Sequence, residues 1–237
     1  MSPYTQSPFS NITPVVKNLL IINIIFFVAT YALGRLNIDL VALLSAFYPS
    51  SPNFKIWQII TYLFMHANLG HIFSNMLGLF FIGPILEQTF GSKRFFNYYF
   101  ITGIGALLFN FIVQAIHVHQ ITGAFFPDIY NYTPRSESDL RALIEIYRDP
   151  ILGASGAIFG LMAAIFALYP DLEFLLFPFP IPVKVKYMVP LYVLYELYSG
   201  VNPKGGDMVA HFAHVGGAVV GYILIKIWHT RTPNNFY

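Results

Sequence analysis

The sequence predicts an all-α, polytopic membrane protein built as a bundle of six transmembrane helices. Apolar residues make up 56% of the 237 residues and charged residues only 10%, against about 25% charged residues in ordinary soluble domains. The mean hydropathy is +0.60. Six apolar segments follow one another along the chain, most of them near the length of about 20 residues that crosses a bilayer. Such a chain has too few polar side chains to cover a water-exposed surface. We therefore expect an integral membrane protein whose surface contacts the lipid bilayer.

The six predicted spans differ in regularity. They cover residues 15–33, 69–86, 95–117, 152–169, 187–199 and 208–228. The fifth is the least regular, because Pro190 and Glu196 lie inside it. Residues 87–94 are predicted as a polar turn between the second and third spans. Residues 172–186 are predicted as a proline-rich turn at the membrane interface.

Two long loops are predicted on the outer side of the membrane. The first, about 34–68, is rich in aromatic residues and prolines, which indicates a folded cap. The second, about 119–150, contains an amphipathic helix predicted over residues 137–148, with a capping box formed by Ser136 and Asp139.

Residues 15–229 are predicted to form one membrane domain, with short tails at 1–14 and 230–237. With the N-terminus in the cytoplasm, seven of the 13 Lys and Arg residues lie on the inner side. Most of these seven are in short segments beside the spans, where the positive-inside rule applies. No cleavable signal peptide is apparent, since residues 1–13 are polar. The charge distribution favours a cytoplasmic N-terminus, and a compact six-span core without long extramembrane domains favours a bacterial inner membrane.

Charge, cysteine content and repeats exclude other functions. The net charge of +2 is too small to indicate a nucleic-acid partner. No Cys is present, which excludes disulfides, thiol nucleophiles and Cys-ligated zinc. No internal repeat is evident, so the sequence lacks the inverted repeats typical of many transporters.

The fourth span opens with Gly153-Ala154-Ser155-Gly156. Taken alone, this motif is more readily explained by close helix packing, because small residues line most interfaces between membrane helices. From Ser155 to Pro170 a helix would rise about 24 Å, less than the roughly 30 Å of the hydrocarbon core. Ser155 should therefore lie below the outer boundary of the membrane, in a depression that water can enter.

Three predicted spans carry polar residues at a similar depth. The second, fourth and sixth spans all run inward from the outer face, and each has its polar residues near its start. These residues are His71 and Asn75, then Ser155, then His211 and His214. Polar and ionisable groups inside a membrane are costly unless they face a cavity or one another, so this layer indicates a functional site.

Glycine spacing predicts which spans touch. Gly156 and Gly160 form one G-x-x-x-G motif, and Gly217 and Gly221 form another, each of which allows close approach of two backbones. His214 shares a helix face with the second pair. Packing of the fourth span on the sixth would therefore bring His214 towards the fourth span.

These residue types fit acyl transfer. Ser155 needs a base to become a nucleophile, and the imidazole of His214 can take its proton. The backbone N–H of Ser155, the ring of His71 and the amide of Asn75 are candidate donors to the tetrahedral oxyanion.

No carboxylate is predicted to orient His214. Asp207 lies two turns away along the sixth span, and Glu196 lies on another span. The sequence therefore favours a Ser–His dyad over a triad.

At these positions the chain resembles the rhomboid family of intramembrane serine proteases. The match consists of Gly153-x-Ser155-Gly156, His71-x-x-x-Asn75, and Ala213-His214-Val215-Gly216-Gly217 with Gly221. The stretch 57–75 and the pair Glu87 and Gly91 are also similar, so the resemblance covers about residues 57–228. It departs at Gln58, where many members have arginine. It departs again at Phe159, where relatives often have a tyrosine stacked on the catalytic histidine.

The resemblance implies a serine endopeptidase that cleaves single-pass transmembrane proteins within the bilayer, with no cofactor. Ser155 would be the nucleophile and His214 the general base, with His71 and Asn75 in the oxyanion site. Phe159 would stack on His214 through its ring.

Three other chemistries are less well supported. A metal site could form from His66, His71, His211 and His214, but the H-E-x-x-H motif and a nearby acidic ligand are missing, so no metal is expected. Aspartyl proteolysis needs two buried carboxylates, and the spans supply only Glu196. The serious alternative is a catalytically silent rhomboid-like module that binds membrane proteins. Inactive relatives typically lack the serine or the histidine, and this sequence has both.

Overall fold

The computed structural model describes residues 12–129, 132–176, 181–202 and 210–229. Most of the predicted tail 1–14, the tail 230–237, Asp207 and the first residues of the sixth predicted span lie outside the described residues. The helices are α1 (Pro14–Gly34), α2 (Leu40–Leu44), α3 (Gln58–Thr61), α4 (Leu69–Phe90), α5 (Ser92–Thr122), α6 (Glu137–Arg148), α7 (Ser155–Leu168), α8 (Val185–Val201) and α9 (His211–Ile227). A single 3₁₀ turn, Tyr62–Phe64, follows α3, and the strands β1 (Glu173–Leu176) and β2 (Ile181–Lys184) lie between α7 and α8.

The structure is a polytopic bundle of apolar helices, as predicted. Among the described residues, three helices, α1, α4 and α5, are long and apolar enough to cross a membrane. Two further apolar helices are shorter, with 14 residues in α7 and 17 in α9. The fifth predicted span is one continuous helix of 17 residues, α8, despite Pro190.

Helix α7 lies at the centre of the bundle. All its residues from Gly156 to Ile165 are buried, and it packs against α9, α5 and α4. A helix that is apolar on every side needs such a position. By contrast, α1 and α8 expose large apolar side chains, such as Ile25 and Leu191, which would face lipid.

The predicted polar turn at 87–94 is wrong. Helix α4 continues through Phe90 and α5 begins at Ser92, so Gly91 alone lies between them, with φ of +77°. Glu87 is buried inside α4 because other elements satisfy its carboxylate. It accepts hydrogen bonds from the Val15 and Val16 N–H groups at 3.1 and 3.0 Å, and from the hydroxyls of Thr13 and Ser92. The free N–H groups at the start of α1 thus offset a negative charge.

Within residues 172–186 the described parts form two antiparallel strands, β1 and β2, followed by the start of α8, rather than a simple turn. Glu173 pairs with Lys184 at its open end, and the Lys186 ammonium lies 2.6 Å from the Asp171 carboxylate. Lys186 holds the pKa of Asp171 below its usual value by hydrogen bonding and charge. Phe174, Ile181 and Val183 are of the residue types that favour strands, although the prolines around them favour a turn.

The first long loop is a folded cap held by Gln58. This side chain is buried; its Nε2 donates to the Asn53 carbonyl at 3.1 Å and its Oε1 accepts from the Lys55 N–H at 2.8 Å. The indole N–H of Trp57 donates to the Leu43 carbonyl at 3.0 Å. A glutamine thus supplies the polar anchor of this loop at position 58.

The two long loops pack on each other and thereby fix the entry to α7. The predicted helix 137–148 is confirmed as α6, and Ser136 accepts from the Asp139 N–H at 3.1 Å. The Ser51 hydroxyl donates to the Tyr147 carbonyl at 2.6 Å. Ala46 and Ile151 form a two-way backbone bridge. The chain therefore reaches Gly153 along a defined path.

Candidate active site

Ser155 is the first residue of α7, where helical N–H groups have no partner within the helix. The preceding turn depends on Gly153, which has φ of +124° and donates its N–H to the Tyr62 carbonyl at 2.9 Å. A Cβ at Gly153 would lie 2.7 Å from Nε2 of His71. Glycine is thus required here by backbone conformation and by space. The side chain of Ser155 is half-buried.

The hydroxyl of Ser155 meets the ring of His214. Ser155 Oγ lies 2.7 Å from His214 Nε2. The contact depends on unusually close packing of α7 on α9. A Cβ at Gly217 would lie 2.0 Å from the Gly156 carbonyl oxygen, and one at Gly221 would lie 2.7 Å from that of Gly160.

The ring of Phe159 covers one face of His214. Their centroids are 4.5 Å apart and their planes differ by 6°. Tyr192 of α8 contacts the same phenylalanine, with centroids 5.0 Å apart. Stacking therefore restricts the imidazole to one plane without a hydroxyl at position 159.

A carboxylate lies within hydrogen-bond distance of His214, so the prediction that no acid is placed near it is wrong. Glu196 Oε2 is 2.8 Å from His214 Nδ1 and 2.6 Å from His211 Nδ1. Glu196 is buried, with 3% of its surface exposed. The sequence could not place it because it lies on α8, whose register against α9 depends on tertiary packing. A usable signal existed: a lone carboxylate in a membrane helix needs a partner, and two histidines were available.

His71 and Asn75 lie on the other side of the Gly153 turn. A Cβ at Gly153 would lie 2.7 Å from His71 Nε2 and 3.5 Å from Asn75 Nδ2. The Ala67 N–H donates to His71 Nδ1 at 3.4 Å, which leaves Nε2 as the protonated nitrogen of the neutral ring. Asn75 Nδ2 is buried and has no hydrogen-bond partner among the described residues. The side-chain donors of His71 and Asn75 thus lie together beside Gly153, two residues before Ser155.

His66, which the sequence offered only as a possible metal ligand, packs against His71, with ring centroids 5.0 Å apart. Burial, and then His71, lower the pKa of His66 to about 4. His66 is therefore neutral at physiological pH.

The expectation that no acidic ligand lies near the histidines is also wrong. Glu196, His211 and His214 offer three ligand atoms within 4.8 Å of one another. The two oxygen–nitrogen distances of 2.6 and 2.8 Å are hydrogen-bond distances. Two ligands of one tetrahedral zinc ion lie about 3.3 Å apart, given bonds of about 2.0–2.1 Å. The arrangement is that of a carboxylate with two imidazole donors.

Residues 53–231 match the Rhomboid domain. The chain belongs to the rhomboid family. Rhomboid protease AarA of Providencia stuartii is 31% identical over 188 residues, which cover 75% of this chain and 57% of that protein. RHOMBOID-like protein 1 of Arabidopsis thaliana is 29% identical over 184 residues, covering 77% of this chain and 37% of that protein. Inactive RHOMBOID-like protein 8 of the same plant is 39% identical over 75 residues, covering 31% of this chain and 21% of that protein.

This rhomboid chain spans less than two thirds of the length of these relatives. The rhomboid match runs from just before α3 to just beyond α9, and it contains every residue of the site described above. The printed names of the relatives include a protease and an inactive protein. Rhomboid membership therefore gives the fold and the membrane setting, whereas activity has to be argued from the site.

Proposed function

We propose that this rhomboid protein is an intramembrane serine endopeptidase, with Ser155 as nucleophile and His214 as general base. One observation carries the proposal: Ser155 Oγ lies 2.7 Å from His214 Nε2 at the start of a buried helix. A hydroxyl within hydrogen-bond reach of an imidazole is the arrangement that activates serine.

Cleavage would proceed through an acyl-enzyme. His214 Nε2 takes the hydroxyl proton as Ser155 Oγ attacks the scissile carbonyl carbon, and the carbonyl oxygen becomes an oxyanion. When the peptide C–N bond breaks, the imidazolium gives that proton to the leaving amine. Water then attacks the ester, His214 takes and returns a second proton, and the carboxylic product leaves.

The donors around the Gly153 turn suit the oxyanion. The N–H of Ser155 is at the positive end of the α7 dipole, and the His71 Nε2–H and Asn75 amide lie on the opposite side of the turn. Donors fixed in advance near developing charge commonly contribute about 2.7–4 kcal/mol each to transition-state stabilisation.

The substrates would be single-pass transmembrane proteins. Helix α7 has 14 residues and spans about 21 Å at about 1.5 Å per residue, less than a roughly 30 Å hydrocarbon core. A site at its outer end would suit a substrate helix cut near its own outer end, where residues of low helix propensity let the chain unwind. We place the domain, residues 15–229, in a bacterial inner membrane with the N-terminus in the cytoplasm.

The alternative is a silent rhomboid-like module that binds membrane proteins without cutting them. The relative named as inactive keeps this alternative open. The Ser155–His214 contact favours catalysis, because a binding module has no need of a serine hydroxyl on an imidazole.

A reconstituted cleavage assay tests the proposal. Protein in proteoliposomes receives a single-pass segment with glycine and alanine at its outer end, and products are mapped by mass spectrometry. The wild type and Ser138→Ala, a control at an exposed serine of α6, should cleave the segment, whereas Ser155→Ala should give no product. Stable capture of the segment by the wild type without any product would favour the silent module.

A further inference from the structure

We infer that Glu196 is a positioning residue that sets the tautomer and orientation of His214, so that the site is a Ser155–His214–Glu196 triad with His211 holding the carboxylate. This inference rests on the proposed function, because orientation of His214 matters for catalysis only if His214 acts as the base.

The contacts form one continuous chain across the ring of His214. Nε2 faces Ser155 Oγ at 2.7 Å, and Nδ1 faces Glu196 Oε2 at 2.8 Å. The side chains of His214 and Glu196 are only 12% and 4% exposed, which limits the water that could replace either contact. Both nitrogens of the imidazole are therefore occupied, each by a different partner.

Proton positions follow from the shared oxygen. The same atom, Glu196 Oε2, meets Nδ1 of both His214 and His211. A protonated carboxyl would donate through that oxygen to one ring and accept from the other, whereas an ionised carboxylate, the ordinary form of glutamate at neutral pH, accepts from both. With the proton of His214 on Nδ1, its Nε2 lone pair points at the Ser155 hydroxyl. This is the tautomer that a general base requires.

His211 fixes the carboxylate itself. It lies one turn before His214 on α9, and its Nδ1 approaches Glu196 at 2.6 Å. Because both donors come from α9 and the acceptor from α8, the carboxylate cannot leave His214 without also losing His211. A carboxylate held by two donors has little freedom to rotate away from the base.

A purely structural tie between α8 and α9 is the competing explanation. The two differ in what Glu196→Gln should do. The amide has nearly the same size and can still bond both rings, but it offers a donor as well as an acceptor, so it no longer specifies the tautomer of His214. A structural tie predicts that Glu196→Gln changes at most the stability and leaves the turnover of the folded protein intact, whereas a positioning role predicts lost turnover in a folded protein.

The test compares Glu196→Gln and Glu196→Asp with a matched control, Asp171→Asn. Asp171 also forms an ion pair with α8, through Lys186, far along the chain from the site. We expect Glu196→Gln to lower kcat by about 100-fold or more, as loss of the carboxylate does in other triads, with KM changed less than about threefold. Glu196→Asp should recover part of kcat, and Asp171→Asn should leave it unchanged. A Glu196→Gln protein that keeps its kcat within about threefold of wild type would overturn the inference.

Nitrogen NMR of the seven histidines gives a readout independent of turnover. In wild-type protein labelled with ¹⁵N-histidine, the signal lost in His214→Gln identifies His214, whose Nδ1 should be protonated and Nε2 unprotonated. Wild-type spectra with the proton on Nε2 of His214 would overturn the inference even if the Glu196 variants fail to fold. Inactive wild-type protein whose His214 nevertheless carries its proton on Nδ1 would count against the proposed function and leave the assignment of Glu196 standing.

Discussion

The rings of Phe159 and His214 lie parallel, 4.5 Å apart with 6° between their planes. Phe159 is one turn along α7 from Ser155, so a single helix supplies both the nucleophile and the surface that holds its base. The position where relatives often have tyrosine keeps the stack here without the hydroxyl.

Phe159→Ala should lower kcat by roughly tenfold, because an aromatic stack contributes about 0.5–1.5 kcal/mol beyond area burial and its loss frees the imidazole. Phe159→Tyr should keep near wild-type kcat, since the ring is retained. Steady-state cleavage kinetics measure both. An equal loss of kcat in the two variants would contradict the stacking role, because Phe159→Tyr keeps the aromatic ring and Phe159→Ala removes it.

Loss of the oxyanion donors should act on turnover. His71→Ala and Asn75→Ala are each expected to lower kcat by about 10²–10³-fold with little change in KM, because the donors act on charge that develops in the transition state. Asn97→Ala, an exposed asparagine near the start of α5, serves as the control. A rise in KM with kcat intact would instead place these side chains in substrate binding.

The contact between α7 and α9 predicts a severe effect for Gly217→Ala. The new Cβ would lie 2.0 Å from the Gly156 carbonyl oxygen, so the helices must separate, at a cost of about 1–3 kcal/mol or more. Thermal unfolding in detergent should show a lowered midpoint, and cleavage should fall further because His214 moves with α9. For comparison, a Cβ at Gly34 meets no described atom within 4 Å, and Gly34→Ala should be neutral.

Glu87 ties α1 to α4 far from the catalytic layer. Glu87→Ala should destabilise the protein by about 1.5–3 kcal/mol, since it removes charge-assisted hydrogen bonds and leaves the start of α1 unsatisfied. Activity per folded molecule should stay near that of the wild type. Unfolding curves together with active-site titration separate these two quantities, and the exposed Glu145→Ala provides the baseline. A variant as stable as Glu145→Ala would refute this role.

Parts of this molecule follow directly from its sequence. The apolar spans, the amphipathic helix α6 and the common depth of Ser155, His71 and His214 rest on local periodicity and on the cost of polar groups in lipid. The sequence predicts a turn at Glu87 because the partners that neutralise its charge come from α1, more than 70 residues earlier in the chain.

Glu196 shows why the rest could not be predicted. Its role depends on the rotation of α8 against α9, which packing fixes and no periodicity records. The anchoring role of Gln58 likewise depends on carbonyl groups that come within reach only in the folded loop. In both cases the sequence carries one usable signal: a polar side chain in an apolar segment, which is costly to bury without a hydrogen-bond partner.

The central claim is that Ser155 is a nucleophile activated by His214, and fluorophosphonate labelling in detergent tests it most directly. The wild type and Ser138→Ala should form an adduct that peptide mapping locates on Ser155, and the adduct should form equally in the presence of a metal chelator. Ser155→Ala and His214→Ala should not label. Labelling that persists in Ser155→Ala, or an adduct mapped to another residue, would contradict the account.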